Sequence, residues 1–191
     1  MKGLTLSRIV DGALEMADEQ GFDAVTLSGL ARHFGVAGPS MYSHVAGLWG
    51  LHVEMSRAAN YELAERLSEA VAGRSGRDAL EAFADSYRRF SIEHPGWYVA
   101  SQVQLSIEEV EASPSHQRVF GIVNQVFRAY GLSDEAKTDA IRFVRAIVHG
   151  FVSLETQGGF GDPRSVETSW NQSLRKAHNA LVHWEEDDPD A

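Results

Sequence analysis

The sequence predicts an all-α protein, and three observations carry that prediction. Apolar residues recur at intervals of three and four along nearly the whole chain, the spacing that places them on one face of a helix. Glycine and proline stand between these stretches, where helices end and restart. No segment alternates apolar and polar residues in the manner of a strand, and no internal repeat is visible. With 191 residues there is chain enough for one long domain or two small ones with a real core. A hydrophobic share of 43% is ordinary for a globular protein. No apolar run approaches the ~20 residues of a membrane span, and Asp11, Glu15, Asp18 and Glu19 break up any apolar leader. Cysteine is absent, which excludes disulfides and thiol chemistry and fits a reducing, cytoplasmic setting.

Residues 5–20 form the first amphipathic helix, with Leu6, Ile9, Val10, Ala13, Leu14 and Ala17 on one stripe. Gly21 ends it and Phe22 packs beneath. Thr26 is an N-cap for the next helix, whose apolar face is Leu27, Leu30, Ala31 and Phe34. Gly35 stops that helix and Val36 plugs the corner. Gly38-Pro39 starts a second short helix, with Met41 and Val45 facing inward and Ala37, Ser40, Tyr42 and His44 facing outward. Helix, tight turn and helix with a small, polar outer face make a helix-turn-helix pattern.

A turn at Ala46-Gly47 leads into a long helix, about 48–72, in which Leu48, Leu51, Met55, Ala58 and Ala59 continue the core stripe and Trp49 packs structurally. The break at 73–76 is not a phosphate loop, because no Gly-Lys-Ser/Thr follows. A helix at about 77–94 presents Leu80, Phe83, Ala84, Tyr87 and Phe90, and His94-Pro95 stops it. A short helix runs from Gly96 to about Leu105, and the acidic stretch 106–112 reads as loop or helix. Ser113-Pro114 opens a helix that closes at Gly131. Ser133-Asp134-Glu135 opens another, reaching about Gln157. Its middle is apolar nearly all round, from Ile141 and Phe143 through Ala146 and Phe151 to Leu154, so it is expected to face another subunit as well as its own core. A turn at 158–163 precedes a last helix, about 164–184, striped by Val166, Trp170, Leu174, Ala177 and Leu181. Residues 185–191 form an acidic, solvated tail.

Net charge is −10, which argues against indiscriminate nucleic-acid binding. Residues 1–47 set Lys2, Arg8 and Arg32 against Asp11, Glu15, Asp18, Glu19 and Asp23. Any DNA-binding reading therefore rests on the motif and not on a basic footprint.

Gly21-Phe22-Asp23-Ala24-Val25-Thr26-Leu27, Leu30-Ala31, Gly35-Val36 and Met41-Tyr42-Ser43-His44-Val45 resemble the N-terminal signature of the TetR (tetracycline-repressor-like) family of transcriptional regulators. The match is close over about residues 5–55. One departure stands out: Ala46-Gly47-Leu48-Trp49-Gly50 lacks the basic and acidic residues usual at this turn, so a phosphate contact there is missing or replaced by His52. His149-Gly150-Phe151, Leu154-Glu155 and Gly158-Gly159-Phe160, with Trp97 after a Pro-Gly break, resemble the C-terminal domain of one branch of that family. The resemblance implies that the last two long helices pair with their counterparts in a four-helix dimer interface.

The expectation is an N-terminal three-helix helix-turn-helix DNA-binding domain (1–50, continued by a long helix to about 72) and a helical effector-binding and dimerisation domain at 51–184. The function expected is that of a ligand-responsive, sequence-specific repressor. It is a homodimer on a near-palindromic double-stranded operator, released by a small, largely apolar effector, with no cofactor, metal, membrane or enzymatic role. Thr26, Tyr42, His44 and Arg32 are the candidates for phosphate, and Ala37, Gly38 and Ser40 for base edges. Such small side chains favour close fit, thymine-methyl contact and water over bidentate bonds. The effector set is Phe83, Tyr87, Phe90, Trp97, Tyr98, Gln102, Phe120, Phe127, His149, Phe151 and Glu155, an aromatic pocket in which Gln102, His149 and Glu155 supply polar groups. Two alternatives remain open. A helical adaptor could have kept the fold and lost DNA affinity, or an enzyme could use the cavity, with only His149 and Glu155 as acid–base candidates.

Overall fold

The computed structural model describes residues 4–184, so Lys2 and the acidic tail lie outside the described residues. Among those described there are nine α-helices, three 3-10 turns and no strand. The helices are α1 Leu6–Gln20, α2 Leu27–Phe34, α3 Gly47–Val71, α4 Gly76–Glu93, α5 Pro95–Ser101, α6 Ile107–Glu111, α7 Pro114–Phe127, α8 Asp134–Thr156 and α9 Val166–Val182. The chain divides into two compact units. Of the described residues, the first unit takes those up to Ala64 together with Glu93–Arg118; the second takes Glu65–Ile92 and those from Val119 onward. The boundaries thus fall inside α3 and α7 and before the last residue of α4.

In the first unit, Thr5 caps α1 by accepting from Arg8 N, and Thr26 caps α2 by accepting from Gly29 N at 3.0 Å. Gly35 ends α2 in the left-handed region, at φ 64°, where a side chain would be strained. The expected stripes meet in one core: Ile9, Val10, Ala13, Leu14 and Ala17 of α1, Leu30 and Ala31 of α2, Met41 and Val45, and Leu51, Met55 and Ala59 of α3. The second helix of the motif is not a regular α-helix. Gly38–Ser40 form a 3-10 turn, and the chain continues as turns to His44. Met41 N bonds Gly38 O at 3.1 Å and Tyr42 N bonds Pro39 O at 3.2 Å, before Val45 N makes an α-type bond to Met41 O. Glycine, proline and two serines are weak helix formers, and the Ser43 hydroxyl donates to Ser40 O at 2.8 Å, a local bond that competes with helix.

Leu48 and Trp49, expected to pack inward, are instead 40% and 51% exposed. They sit in the first turn of α3, where only the face carrying Leu51 and Met55 meets the core. The Trp49 indole N–H donates to Glu109 Oε1 at 3.2 Å. Glu109 belongs to α6, which settles the ambiguous acidic stretch as a helix held by a capping box between Ser106 and Glu109. His52 does not reach outward: its ring packs at a tilt against Phe22, centroids 4.8 Å apart, and its Nε2 is buried without a hydrogen-bond partner.

Residues 93–118 belong with the helix-turn-helix motif because polar ties fix them there. Asp18 Oδ1 accepts from Gly96 N at 2.7 Å and Trp97 N at 3.2 Å, capping α5 from α1, while Oδ2 lies 3.1 Å from His94 Nδ1. A Cβ at Gly96 would overlap the backbone of Ala17 and Asp18. Deeper in, Asn60 Nδ2 donates to Ser56 O at 3.0 Å and Ser101 O at 3.2 Å. His116 Nε2 lies 3.3 Å from the Ser56 hydroxyl and its Nδ1 lies 2.7 Å from that of Ser113. Helix α5 stops at Ser101, short of the expected Leu105.

In the second unit, Leu80, Ala84 and Phe90 of α4, Ile122, Val126 and Phe127 of α7, Val144, Val148 and Val152 of α8 and Trp170, Leu174, Ala177 and Leu181 of α9 are buried. Arg88 is the joint among three helices. It donates to both oxygens of Glu155 at 2.7 Å and to Glu167 at 2.6 Å, and lies over the Trp170 ring at 5.3 Å. The Trp170 indole N–H, wholly buried, is satisfied by Asp85 Oδ1 at 2.6 Å.

Two glycines give opposite expectations. Gly96→Ala should destabilise by about 1–3 kcal/mol or more, since the obstacle is backbone and cannot swing aside. Gly121→Ala, exposed inside α7 with nothing near its Cβ position, should stabilise by roughly 0.5–1 kcal/mol. Urea unfolding of both variants beside the parent checks the pair.

Candidate nucleic-acid interface and effector residues

The DNA-facing candidates lie together on the first unit. Thr26 sits at the α2 N-cap, its hydroxyl oxygen engaged by Gly29 N and 3.4 Å from the Ser28 hydroxyl. The amides of the first helical turn lack intrahelical partners, so this end can accept an anion. Arg32 is exposed in the last turn of α2. Ala37 and Gly38 are exposed and Ser40 is half-buried. Tyr42 is 66% exposed, and His44 is half-buried beside it in sequence. Buried Met41 and Val45 hold this turn to the core, so its outer residues are displayed without being packed.

An open groove of about 380 Å³ runs between the start of α2 and the turn, lined by Leu27, Ser28, Gly38, Pro39 and Tyr42. The sequence reading missed Leu27, Ser28 and Pro39 as surface residues. Leu27 belongs to an apolar stripe yet is only half-buried, and nothing local reveals that. Positive charge stays scarce on this unit. Arg8 lies over the Phe34 ring at 5.8 Å, and the acidic Asp18 is turned to the amides of α5.

The effector candidates fall in both units. Trp97, Tyr98 and Gln102 belong to the first unit and the other eight to the second. Trp97 packs on the helix-turn-helix core, Tyr98 is buried, and Gln102 donates to the Ser101 hydroxyl at 2.8 Å. Phe83 and Tyr87 stack along α4 at 6.4 Å, half-buried. Phe90 has no exposed surface and lies beneath the Arg66 guanidinium, and Phe127 is also buried. Phe120 is 48% exposed. Phe151 contacts Phe160 at 4.7 Å and Trp170 at 5.0 Å. Both oxygens of Glu155 are taken by Arg88, whose charge, 14% exposed, needs that partner. Hydrogen bonding to Glu155 holds the Arg88 pKa above its ordinary range, and the bond from Arg88 lowers that of Glu167.

His149 is half-buried on α8, and its pKa is lowered, first by burial and then by Arg145. The second unit also pairs the Tyr130 hydroxyl with His178 Nδ1 at 3.0 Å, and burial pushes Tyr130 up to about 12. No group of His, Asp or Glu suited to a metal ion occurs among the described residues. No described helix is long and apolar enough to cross a membrane.

Comparison with known proteins follows this geometry closely. Residues 9–44 match the family of bacterial regulatory proteins named for tetR, and residues 80–177 match the tetracyclin repressor-like C-terminal domain. An uncharacterised HTH-type transcriptional regulator of Bacillus subtilis is 30% identical over 94% of both chains. The chain belongs to the TetR family. A second relative, an uncharacterised HTH-type transcriptional regulator of Mycobacterium tuberculosis, is 32% identical over 83% of this chain and 73% of its own. Among solved structures, a TetR variant of Acinetobacter baumannii in complex with minocycline shares the fold at TM-score 0.70 and 22% identity, covering 95% of this chain and 98% of that one. The Streptomyces coelicolor TetR-family protein ActR, in complex with (S)-DNPA, does so at TM-score 0.70 and 16% identity, covering 95% and 98%. This chain is therefore a TetR-family transcriptional regulator with an all-α, helix-turn-helix architecture. The N-terminal match contains every candidate DNA-contacting residue from Thr26 to His44.

Three histidines predict a pH-dependent stability for this regulator. Burial is the first cause lowering the pKa of His52, His116 and His149 below 6.5. The unfolded chain then binds more protons than the folded one as pH falls below that value. Their contribution is present in full above about pH 6.5 and is lost as pH drops towards the folded-state values. The thermal midpoint should be flat near neutrality and decline in mildly acidic buffer, with a shallower decline in His116→Gln. Glu167, its pKa lowered by the bond from Arg88, contributes stability above its ordinary 4.5 and loses it only as pH falls below that value.

Proposed function

We propose that this TetR-family chain is a dimeric, ligand-responsive repressor that binds a near-palindromic operator through Thr26, Arg32, Ala37, Gly38, Ser40, Tyr42 and His44. The observation that carries the reading is the turn at 38–44: Met41 and Val45 are buried while Tyr42 is two-thirds exposed beside small residues. That arrangement lets the backbone come near a base edge while Tyr42 and His44 meet phosphates on either side.

The dimer reading rests on α8. Phe143, Ala146 and Leu154 recur on one face and remain exposed, with Ile147 and Gly150 half-buried beside them, while Val144, Val148 and Val152 fill the unit's own core. On α9, Val182 is 53% exposed. An isologous pairing of these helices would bury both faces and set two recognition turns roughly 34–36 Å apart, one turn of DNA. An effector in the second unit releases the operator only if it binds the DNA-competent and incompetent states with different affinity. The minocycline and (S)-DNPA complexes of structural neighbours support a small organic effector. One observation favours a second reading, an adaptor without DNA affinity: residues 46–50 carry no basic side chain and His52 is turned inward.

Fluorescence anisotropy against duplexes tiled from the flanks of its own gene, at two salt concentrations, tests the repressor reading. Saturable binding to one near-palindromic tile, weakened by salt, is expected. Tyr42→Ala and His44→Ala should each weaken it about tenfold or more, the loss of a charge-assisted contact, with circular dichroism and dimer mass unchanged. Mutant affinities equal to the parent's would sink the assignment of these residues. Separately, Phe143→Asp should shift the protein to monomer in sedimentation velocity and cost operator affinity with it; a stable Phe143→Asp dimer would place the interface elsewhere.

A further inference from the structure

One cluster of buried polar side chains in the first unit is used by neither the DNA-binding nor the effector reading. Ser56, Asn60, Ser113 and His116 are each 9% exposed or less. They join the middle of α3 to the start of α7, and Asn60 extends the cluster to the end of α5 through Ser101 O. Both α3 and α7 continue past the boundary of this unit.

The geometry fixes the protonation state of the ring. Asn60 Nδ2 lies 3.0 Å from Ser56 O and 3.2 Å from Ser101 O. Carbonyls only accept, so the nitrogen and not the oxygen of the amide occupies this place. The same nitrogen lies 3.2 Å from His116 Nε2. An amide nitrogen donates and does not accept, so the Nε2 that faces it carries no proton. The Ser56 hydroxyl, 3.3 Å from Nε2, donates to it as well. The ring proton is then on Nδ1, which donates to the Ser113 hydroxyl at 2.7 Å. His116 is held as a neutral imidazole of one tautomer.

A second proton finds no acceptor here. It would set an N–H against the Asn60 amide and a new cation beside Arg57, the charge on α3 that acts on the ring. Arg57 is itself paired with Glu54 at 2.7 Å. Among the described residues no carboxylate bonds His116. On α6, Glu109 is engaged by Trp49 and Ser106 N, while Glu108 and Glu111 are exposed. The end of α5 offers Ser101 O and Gln102, neither of them titratable, and α7 adds only the exposed Arg118. Burial and the Arg57 charge both weaken the hold of the ring on a proton. A buried imidazolium without an acceptor is driven out to water. We propose that Ser56, Asn60, Ser113 and His116 form a proton-operated latch, in which protonation of His116 frees residues 110–117 from α3 while the helix-turn-helix stays folded. The helix-turn-helix stays because Leu51, Met55 and Ala59 hold α3 to it by apolar contact.

The test reads local opening by hydrogen exchange and mass spectrometry on the full chain, in the parent and in His116→Gln. Glutamine keeps an oxygen to accept from Asn60 and stays neutral at every pH. The reporting amides are Ser113 N, bonded to Val110 O, and Gln117 N, bonded to Ser113 O. Corrected for intrinsic exchange, their opening should rise several-fold from about pH 7.5 to about pH 5.5, towards the limit of about tenfold per unit that one proton sets. Peptides of α1 should keep their protection, and His116→Gln should show no such rise. NMR of the imidazole carbons and nitrogens is the arm that needs no variant. It should find His116 neutral at about pH 7.5 with its proton on Nδ1, and a protonation midpoint that coincides with the opening. If His116→Gln does not fold, the agreement of those two parent midpoints decides alone. Opening that does not change with pH, an equal rise in His116→Gln, or parallel loss of protection in α1 overturns the latch. So does a ring that is protonated at neutral pH or carries its proton on Nε2.

Discussion

The contact of α5 with the backbone of α1 is the constraint on which the first unit depends. Gly96 removes the one atom that would hold the helices apart, and Asp18 then reaches two amides at the start of α5. The exchange is favourable twice over. Orphan donors at a helix start gain a charged acceptor, and a partly buried carboxylate gains the bonds it needs. That approach is one of the ties that carry residues 93–118 with the helix-turn-helix. With it, they bring Ser101, Ser113 and His116 to Ser56 and Asn60 of α3.

A similar economy operates in the second unit, where one cation does the joining. Arg88 satisfies Glu155 on α8 and Glu167 on α9 while its flat face lies over Trp170. A lysine could match the charge but not the two parallel bonds together with the stacking. The regulator thus relies on a few long-range polar joints to orient helices whose apolar faces alone would tolerate sliding.

Much of the helical framework could be read from the chain, because burial follows a period of 3.6 and the eye can follow it. Ile9, Ala13 and Ala17 on α1 and Trp170, Leu174, Ala177 and Leu181 on α9 fall where their spacing puts them. Ser106 and Glu109 spell a capping box that makes a helix of the acidic stretch, a signal present in the sequence and easily passed over. The recognition turn was harder, since the motif predicts a helix while glycine, proline and serine resist one. Leu48 and Trp49 look like core residues because hydrophobicity says nothing about which side of a helix meets a neighbour. Asp18, Arg88 and the Asn60–His116 contact join residues more than fifty apart in sequence, and no local pattern announces such pairs. The aromatic effector candidates show the same limit: their helical spacing marks an apolar face, but not whether that face closes on the core, as at Phe90, or stays open, as at Phe120.

The recognition turn hangs from the core by two inward side chains, Met41 and Val45, while the positions around them touch little. On the DNA contacts proposed above, folding and address-reading fall on different residues of the same short segment. Under that proposal, exchanges at the exposed Ala37 and Gly38 would redirect the protein to a new DNA word with little effect on its stability. A gene copy with this turn would then drift towards a different operator in single steps, each intermediate still folded, which would give one scaffold a ready route to many regulons.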